Sequence, residues 1–222
     1  MPTPSTSPPP RKFWRLRLPV AVYALGLTSL LNDFAADMIY PLLPLFLAST
    51  IGVGAVALGF IEGAAEAMAS LLKLVTGHLS DRARTRKPFV VAGYLIASAA
   101  RPFLAFASSA GMVLVIRLVD RFGKGMRSSP RDALIADLVS KRDRGRAFGL
   151  HEGMDHAGAV VGPLAAAGLI GLGFALPTVF LLSTIPAAIA CLVVMVFVSE
   201  TGRVATPAVT EPPLPGPLTT AP

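Results

Sequence analysis

Residues 174–198 run for twenty-five positions without one ionisable side chain other than Cys191. A helix of about 20 apolar residues rises ~30 Å, the depth of a bilayer's hydrocarbon core. No feature of this chain constrains its fold more. The segment is not alone: apolar blocks of similar length recur at 18–47, 55–77, 88–106, 112–138 and 147–170. The pattern predicts six transmembrane helices and an all-α membrane protein. Pro41 and Pro44 lack the N–H that an unbroken helix needs, so the far end of span one is expected to kink or break.

Composition agrees. Of 222 residues, 53% are hydrophobic and only 15% charged, too few to cover a soluble domain of this size. The formal net charge of +7 raises the question of nucleic acid. In a membrane chain, however, Lys and Arg mark cytoplasmic loops, and no aromatic-plus-basic module accompanies them. The single cysteine, Cys191, excludes an intrachain disulfide and most thiolate metal sites, and reads as a packing residue. Residues 1–17 are Pro/Ser/Thr-rich and then basic, and 201–222 are Pro/Thr/Ala-rich; both are expected to be disordered tails around a membrane domain at 18–200. The basic stretch before span one resembles a signal peptide, but apolar sequence resumes beyond Asp33 and no cleavage site follows, so an uncleaved first span is expected.

Charge sidedness tests the span count. Arg11, Lys12, Arg15 and Arg17 precede span one; Arg82, Arg84, Arg86 and Lys87 follow span two; Lys141, Arg142, Arg144 and Arg146 follow span four; Arg203 follows span six. The alternate loops, near 48–54, 107–111 and 171–173, hold no Lys or Arg. Such alternation predicts a multi-pass protein of the cell membrane with both termini in the cytoplasm.

Three motifs carry a resemblance. After span two stands GHLSDRARTRK at 77–87, with Gly77 expected to allow a tight turn, Asp81 to accept hydrogen bonds from neighbouring arginines, and Arg82, Arg84, Arg86 and Lys87 to meet lipid headgroups. Span four begins RLVDRFGKG, with Arg117, Gly123 and Gly125. Span five carries Gly149, Gly158, Gly162 and Pro163, with Ala166 and Ala167 after them, spacings that let helix backbones approach closely in lipid. Gly149, Gly153 and Ala157 form one expected packing stripe, and Gly158, Gly162 and Ala166 another. Together these resemble the major facilitator superfamily of transporters, in particular a bacterial drug/proton antiporter-like subgroup. The departures are Arg84 where that family has a second glycine, Asp120 and Arg121 in the span-four motif, and the alanines ending the span-five motif. The resemblance implies the N-terminal six-span half of that fold, built as two three-helix inverted repeats. It implies secondary active transport of a small solute or drug-like molecule by alternating access, proton-coupled, with no catalysis and no cofactor.

Ionised groups in a bilayer cost several kcal/mol each unless paired or wetted, so they are functional candidates. Asp33 and Asp37 share one face of span one, and Glu62, Glu66 and Lys73 one face of span two. Span four carries Arg117, Asp120, Arg121, Lys124, Arg127, Arg131 and Asp132; span three adds Arg101, and span five His151, Glu152, Asp155 and His156. Eight acids stand against seven bases, which fits an internal ion-pair network. A carboxylate that moves between an apolar setting and an arginine's neighbourhood also binds and releases a proton. The candidates for proton coupling and cavity lining are Asp33, Asp37, Glu62, Glu66, Arg117, Asp120, Arg121 and Lys124. Asp33 and Asp37 are preferred, with Arg117 as their tuning partner, because spans one and four line the cavity in the resembled family. Arg101, Arg131 and Asp132 are expected to snorkel towards a membrane face. The histidines at 151 and 156 do not share a helix face, so Glu152–His156 pairing is expected and no metal site.

The expected partners are the bilayer, a small-molecule substrate, and either a second copy in parallel or a separately encoded second half; nucleic acid is not among them. The alternatives are a truncated, non-transporting fragment and a membrane interaction module.

Overall fold

A computed structural model describes residues 18–199. The terminal tails, with Arg11, Lys12, Arg15, Arg17 and Arg203, lie outside the described residues. Within them all regular structure is helical, in six consecutive rods. Span one covers Val20–Ile51, span two Ala55–Arg82, span three Lys87–Phe106, and span six Leu176–Phe197. Span four is Ala110–Leu138 and span five Arg144–Gly171. The protein is thus an all-α, six-span membrane bundle. Spans one, two, three and six are long and apolar enough to cross a bilayer by composition alone. Four and five miss that threshold because of the charged and polar side chains they carry.

Local chemistry explains the irregular ends. The regular helix of span one stops at Asp37. Beyond it the chain tightens over Tyr40–Leu42, regains α geometry over Leu43–Phe46 and widens over Leu47–Ile51. Pro41 and Pro44 supply no N–H to the ladder there. Gly52, at φ +77°, then takes the left-handed turn that a side chain would resist. Span three tightens in the same way over Arg101–Phe106, around Pro102. Span six is interrupted at Ser183: Pro186 has no N–H for the Leu182 carbonyl, and the Ser183 hydroxyl donates to the Phe180 carbonyl at 2.7 Å.

The packing has an internal symmetry. Span one lies against spans five and six, span four lies against two and three, and three touches six. Exchanging one with four, two with five and three with six maps these contacts onto themselves. Three is odd, so the second repeat enters the membrane from the side opposite to the first, and the repeats are inverted.

Two apolar clusters close the ends of the bundle. One joins Val22, Leu25, Val90, Tyr94, Leu134, Ile135 and Val194. The other joins Ile39, Leu43, Phe46, Ile61, Leu104, Val113 and Phe180, with the Phe46 and Phe180 rings edge to face at 5.2 Å. Between them, on spans one and four, lies a polar layer. Large apolar side chains face outward: Val20, Leu74, Leu164 and Val196 are each at least 66% exposed, where lipid would cover them.

Two motif expectations need correction. Gly77 makes no turn. Span two continues through Arg82, and a Cβ on Gly77 would come 3.3 Å from Ser129, so Gly77 serves the close approach of spans two and four. No proline intervenes before the helix ends, and the chain opens only at Ala83. Gly149 does not pack either: a Cβ there, or on Gly153, would meet nothing within 4 Å. Gly158 and Gly162 press on span one, where a Cβ would strike the Leu30 carbonyl oxygen or, at 2.6 Å, that of Phe34. Nine residues at 100° each put Gly149 and Gly158 on opposite sides of the helix. Only one of the two glycine stripes is buried. Pro163, inside the same helix, is half-buried beside Gly162.

Candidate functional site

The polar layer encloses a cavity of about 250 Å³ between spans one, two, three and four. All eight candidate residues, Asp33, Asp37, Glu62, Glu66, Arg117, Asp120, Arg121 and Lys124, line it. Asn32, Ala36, Tyr40, Arg101 and Arg127 complete the wall. The acids come mainly from spans one and two, the bases from three and four.

Asp120, 4% exposed, is the hinge of the network. One carboxylate oxygen accepts from Arg101 Nε at 3.1 Å and the other from Arg117 Nη1 at 3.4 Å. Arg101 is itself 3% exposed. Its remaining nitrogens donate to the Asn32 backbone carbonyl at 3.2 Å and to Asn32 Oδ1 at 3.0 Å, and Asn32 Nδ2 donates to Asp33 at 2.8 Å. Arg117 grips Glu62 with two bonds, Nε to Oε1 at 2.8 Å and Nη2 to Oε2 at 2.7 Å. That forked geometry is the strong form of the interaction, and it ties span four to span two. Arg121 stands 4.0 Å from Glu62 and 3.9 Å from Glu66. Arg127 stands 3.9 Å from Asp33 and lies over the Tyr94 ring at 4.4 Å. Burying an isolated charge costs several kcal/mol, so a shared carboxylate between two buried arginines is the arrangement that lets both remain ionised.

The sequence and the structure differ over partners. Arg117 was the expected companion of Asp33 and Asp37; it is held by Glu62 and Asp120, while Asp33 faces Arg127. Arg101 does not snorkel: it is buried across the centre of the layer. Arg131 also turns inward, donating to the Ser29 hydroxyl at 3.0 Å and to Asp132 at 3.1 Å, and Ser29 is in turn 2.9 Å from the Tyr94 hydroxyl. Asn32, Ala36, Tyr40, Arg101 and Arg127 are the lining residues that sequence reasoning left out of its candidates. For Asn32 a signal existed, a polar amide beside Asp33 in an apolar span.

The loop-motif residues form a separate site at one end of the bundle. Arg86, 5% exposed, bridges Asp81 at 2.8 Å to Asp137, joining the ends of spans two and four. Lys87 donates to the Met195 carbonyl at 2.9 Å on span six. Arg82 is exposed. Asp81 therefore does accept from a neighbouring arginine, but Arg86 is buried in protein rather than spread on lipid. On span five, Glu152 and His156 stand 3.9 Å apart on an exposed face.

A lipid-facing bundle of inverted repeats around a buried, charge-lined cavity defines a membrane protein of the transporter class. The sequence pattern of the Major Facilitator Superfamily matches residues 25–221, and the chain belongs to that family. It is 39% identical over 141 residues to an uncharacterised MFS-type transporter of Methanocaldococcus jannaschii, covering 64% of this chain and 35% of that one. It is 28% identical over 152 residues to the multidrug resistance protein MdtH of Photorhabdus laumondii, covering 68% and 38%. Its fold matches a bacterial homologue of the human lysosomal transporter Spinster with a TM-score of 0.71 at 20% identity, over 82% of this chain and 44% of that one. The chain therefore spans little more than a third of the length of the curated relatives it matches.

Proposed function

We propose that this chain forms one wall of a proton-coupled secondary carrier that moves a small solute by alternating access. The observation that carries the reading is the cavity itself: ten charged side chains held between two apolar clusters. Charge there is costly and serves no packing need that apolar residues would not meet better. Carriers of this architecture bind solute at the midplane between two repeated halves. The coupling role falls on Asp33 and Asp37, which sit one helix turn apart on the wall opposite the cationic span. The name of the Photorhabdus relative, a multidrug resistance protein, supports a drug-like solute.

The orientation that fits the basic loops places both termini, and the Arg86 clamp, on the cytoplasmic side of the cell membrane. The second wall comes from a further six-span body; the relatives' greater length supports this need. Reconstituted into proteoliposomes with an imposed pH gradient, the protein is expected to drive uptake or efflux of solute, and Asp33→Asn to abolish the pH dependence. Unchanged pH-dependent transport in that variant refutes the coupling assignment. Absence of any solute movement, with a strictly monomeric mass in nanodiscs, favours the non-transporting fragment.

A further inference from the structure

The cavity's charges do not all find partners. It is lined by five acids and five bases. Every arginine has a carboxylate within 4.0 Å, and those arginines take Asp33, Glu62, Glu66 and Asp120. One acid and one base remain. Asp37 has no cation within 4.0 Å and no side-chain hydrogen bond among the described residues, and the same holds for the Lys124 ammonium against carboxylates. Both side chains are reached by solvent: Asp37 is half-buried, and Lys124 is exposed.

Their heights in the bundle match. Spans one and four run in opposite directions, and the Asp33–Arg127 pair sets a common level on them. Asp37 lies four residues beyond Asp33, about 6 Å along its axis, and Lys124 lies three residues before Arg127, about 4.5 Å along the opposite axis. The two steps go the same way. An anion and a cation without a partner therefore stand across the cavity at nearly the same depth, apart from one another and among charged groups that each have an opposite charge within 4.0 Å.

We infer that the solute of this cavity is a small zwitterion, its cationic group seated at Asp37 and its anionic group at Lys124. The inference rests on the cavity being the solute site. The geometry favours a dipolar solute over a singly charged one, because a lone amine or a lone acid leaves one of the two protein charges uncompensated. Lysine's compact ammonium suits a carboxylate approached from one direction, whereas Arg117 is committed to a forked pair with Glu62 that a solute would have to break.

The test is binding to the full chain in nanodiscs, with 4-aminobutyrate and 6-aminohexanoate as zwitterionic probes and hexylamine and hexanoate as singly charged ones. A second charge-assisted contact implies that at least one zwitterion binds about tenfold more tightly than either control. Lys124→Gln should erase the advantage over hexylamine. Asp37→Asn should erase the advantage over hexanoate, and Lys124→Arg should keep much of the wild-type preference. Equal binding of zwitterions and controls, no binding of any probe, or a preference that survives both neutralising variants overturns the proposal. Selective binding without 6-aminohexanoate uptake by proteoliposomes would retain this inference and remove the transport reading. Uptake of a drug-like cation with no zwitterion preference would do the reverse.

Discussion

The contact of span one with span five and that of span four with span two are equivalent under the repeat exchange, yet they are built differently. In the first, the glycines that meet backbone belong to span five: Gly158 and Gly162 lie under the backbone of span one near Leu30 and Phe34, while Gly26 of span one meets the Met154 side chain. In the second they belong to span four, while Gly77 of span two meets the Ser129 side chain. A Cβ on Gly125 would come 2.6 Å from the Ala69 carbonyl oxygen, and one on Gly123 would meet Gly93 and Ala97 of span three. The second contact is also pinned by ions, with Arg117 on Glu62, while span five offers span one no such clamp. Close approach can be obtained from either partner. The placement of charge cannot be exchanged so freely, because bases on four and acids on one and two are what give the cavity opposed walls.

The comparison makes ranked predictions, each read as thermal unfolding of the detergent-solubilised protein. Asp120→Asn strikes the ionic layer hardest, leaving Arg101 and Arg117 without their shared carboxylate. A loss of about 3–5 kcal/mol is expected, and a loss under ~1 kcal/mol would mean that water already screens the pair. Gly158→Leu forces a side chain into the Leu30 backbone and should cost about 1–3 kcal/mol or prevent assembly, while Gly149→Leu, on the open face, should stay within ~0.5 kcal/mol. Equal effects at the two positions would reverse the assignment of the buried stripe. Arg86→Gln loosens the joint between the ends of spans two and four. Its carboxylates are 67% and 43% exposed, so about 1 kcal/mol is expected. Glu152→Ala removes an exposed pair and should shift stability by less than ~0.5 kcal/mol.

Much of the fold was legible in the residues. Apolar block length gave six rods with ends a few residues from those observed, and Pro41 and Pro44 marked the break in span one. The eight candidate side chains were legible for a plain reason: an ionised group in an apolar span has few places to go but a shared interior. Arg101 and Gly149 were harder. Arg101 sits near the end of its span, and snorkelling and burial look alike until the rotation of that helix is known. Gly149 and Gly158 fall on opposite faces by helical arithmetic, but arithmetic alone does not say which face meets span one.

The residues by themselves determined the number and order of the spans, the family, and the set of charges that must share an interior. Those follow from transfer energies and helix periodicity, which are properties of short segments. The tertiary structure decided that Arg117 holds Glu62 rather than Asp33, that Arg86 is enclosed, and that Asp37 and Lys124 are left over. Each of those depends on how one rod is turned and slid against another. Periodicity fixes a side chain's angle about its own helix axis and carries no information about that relative placement.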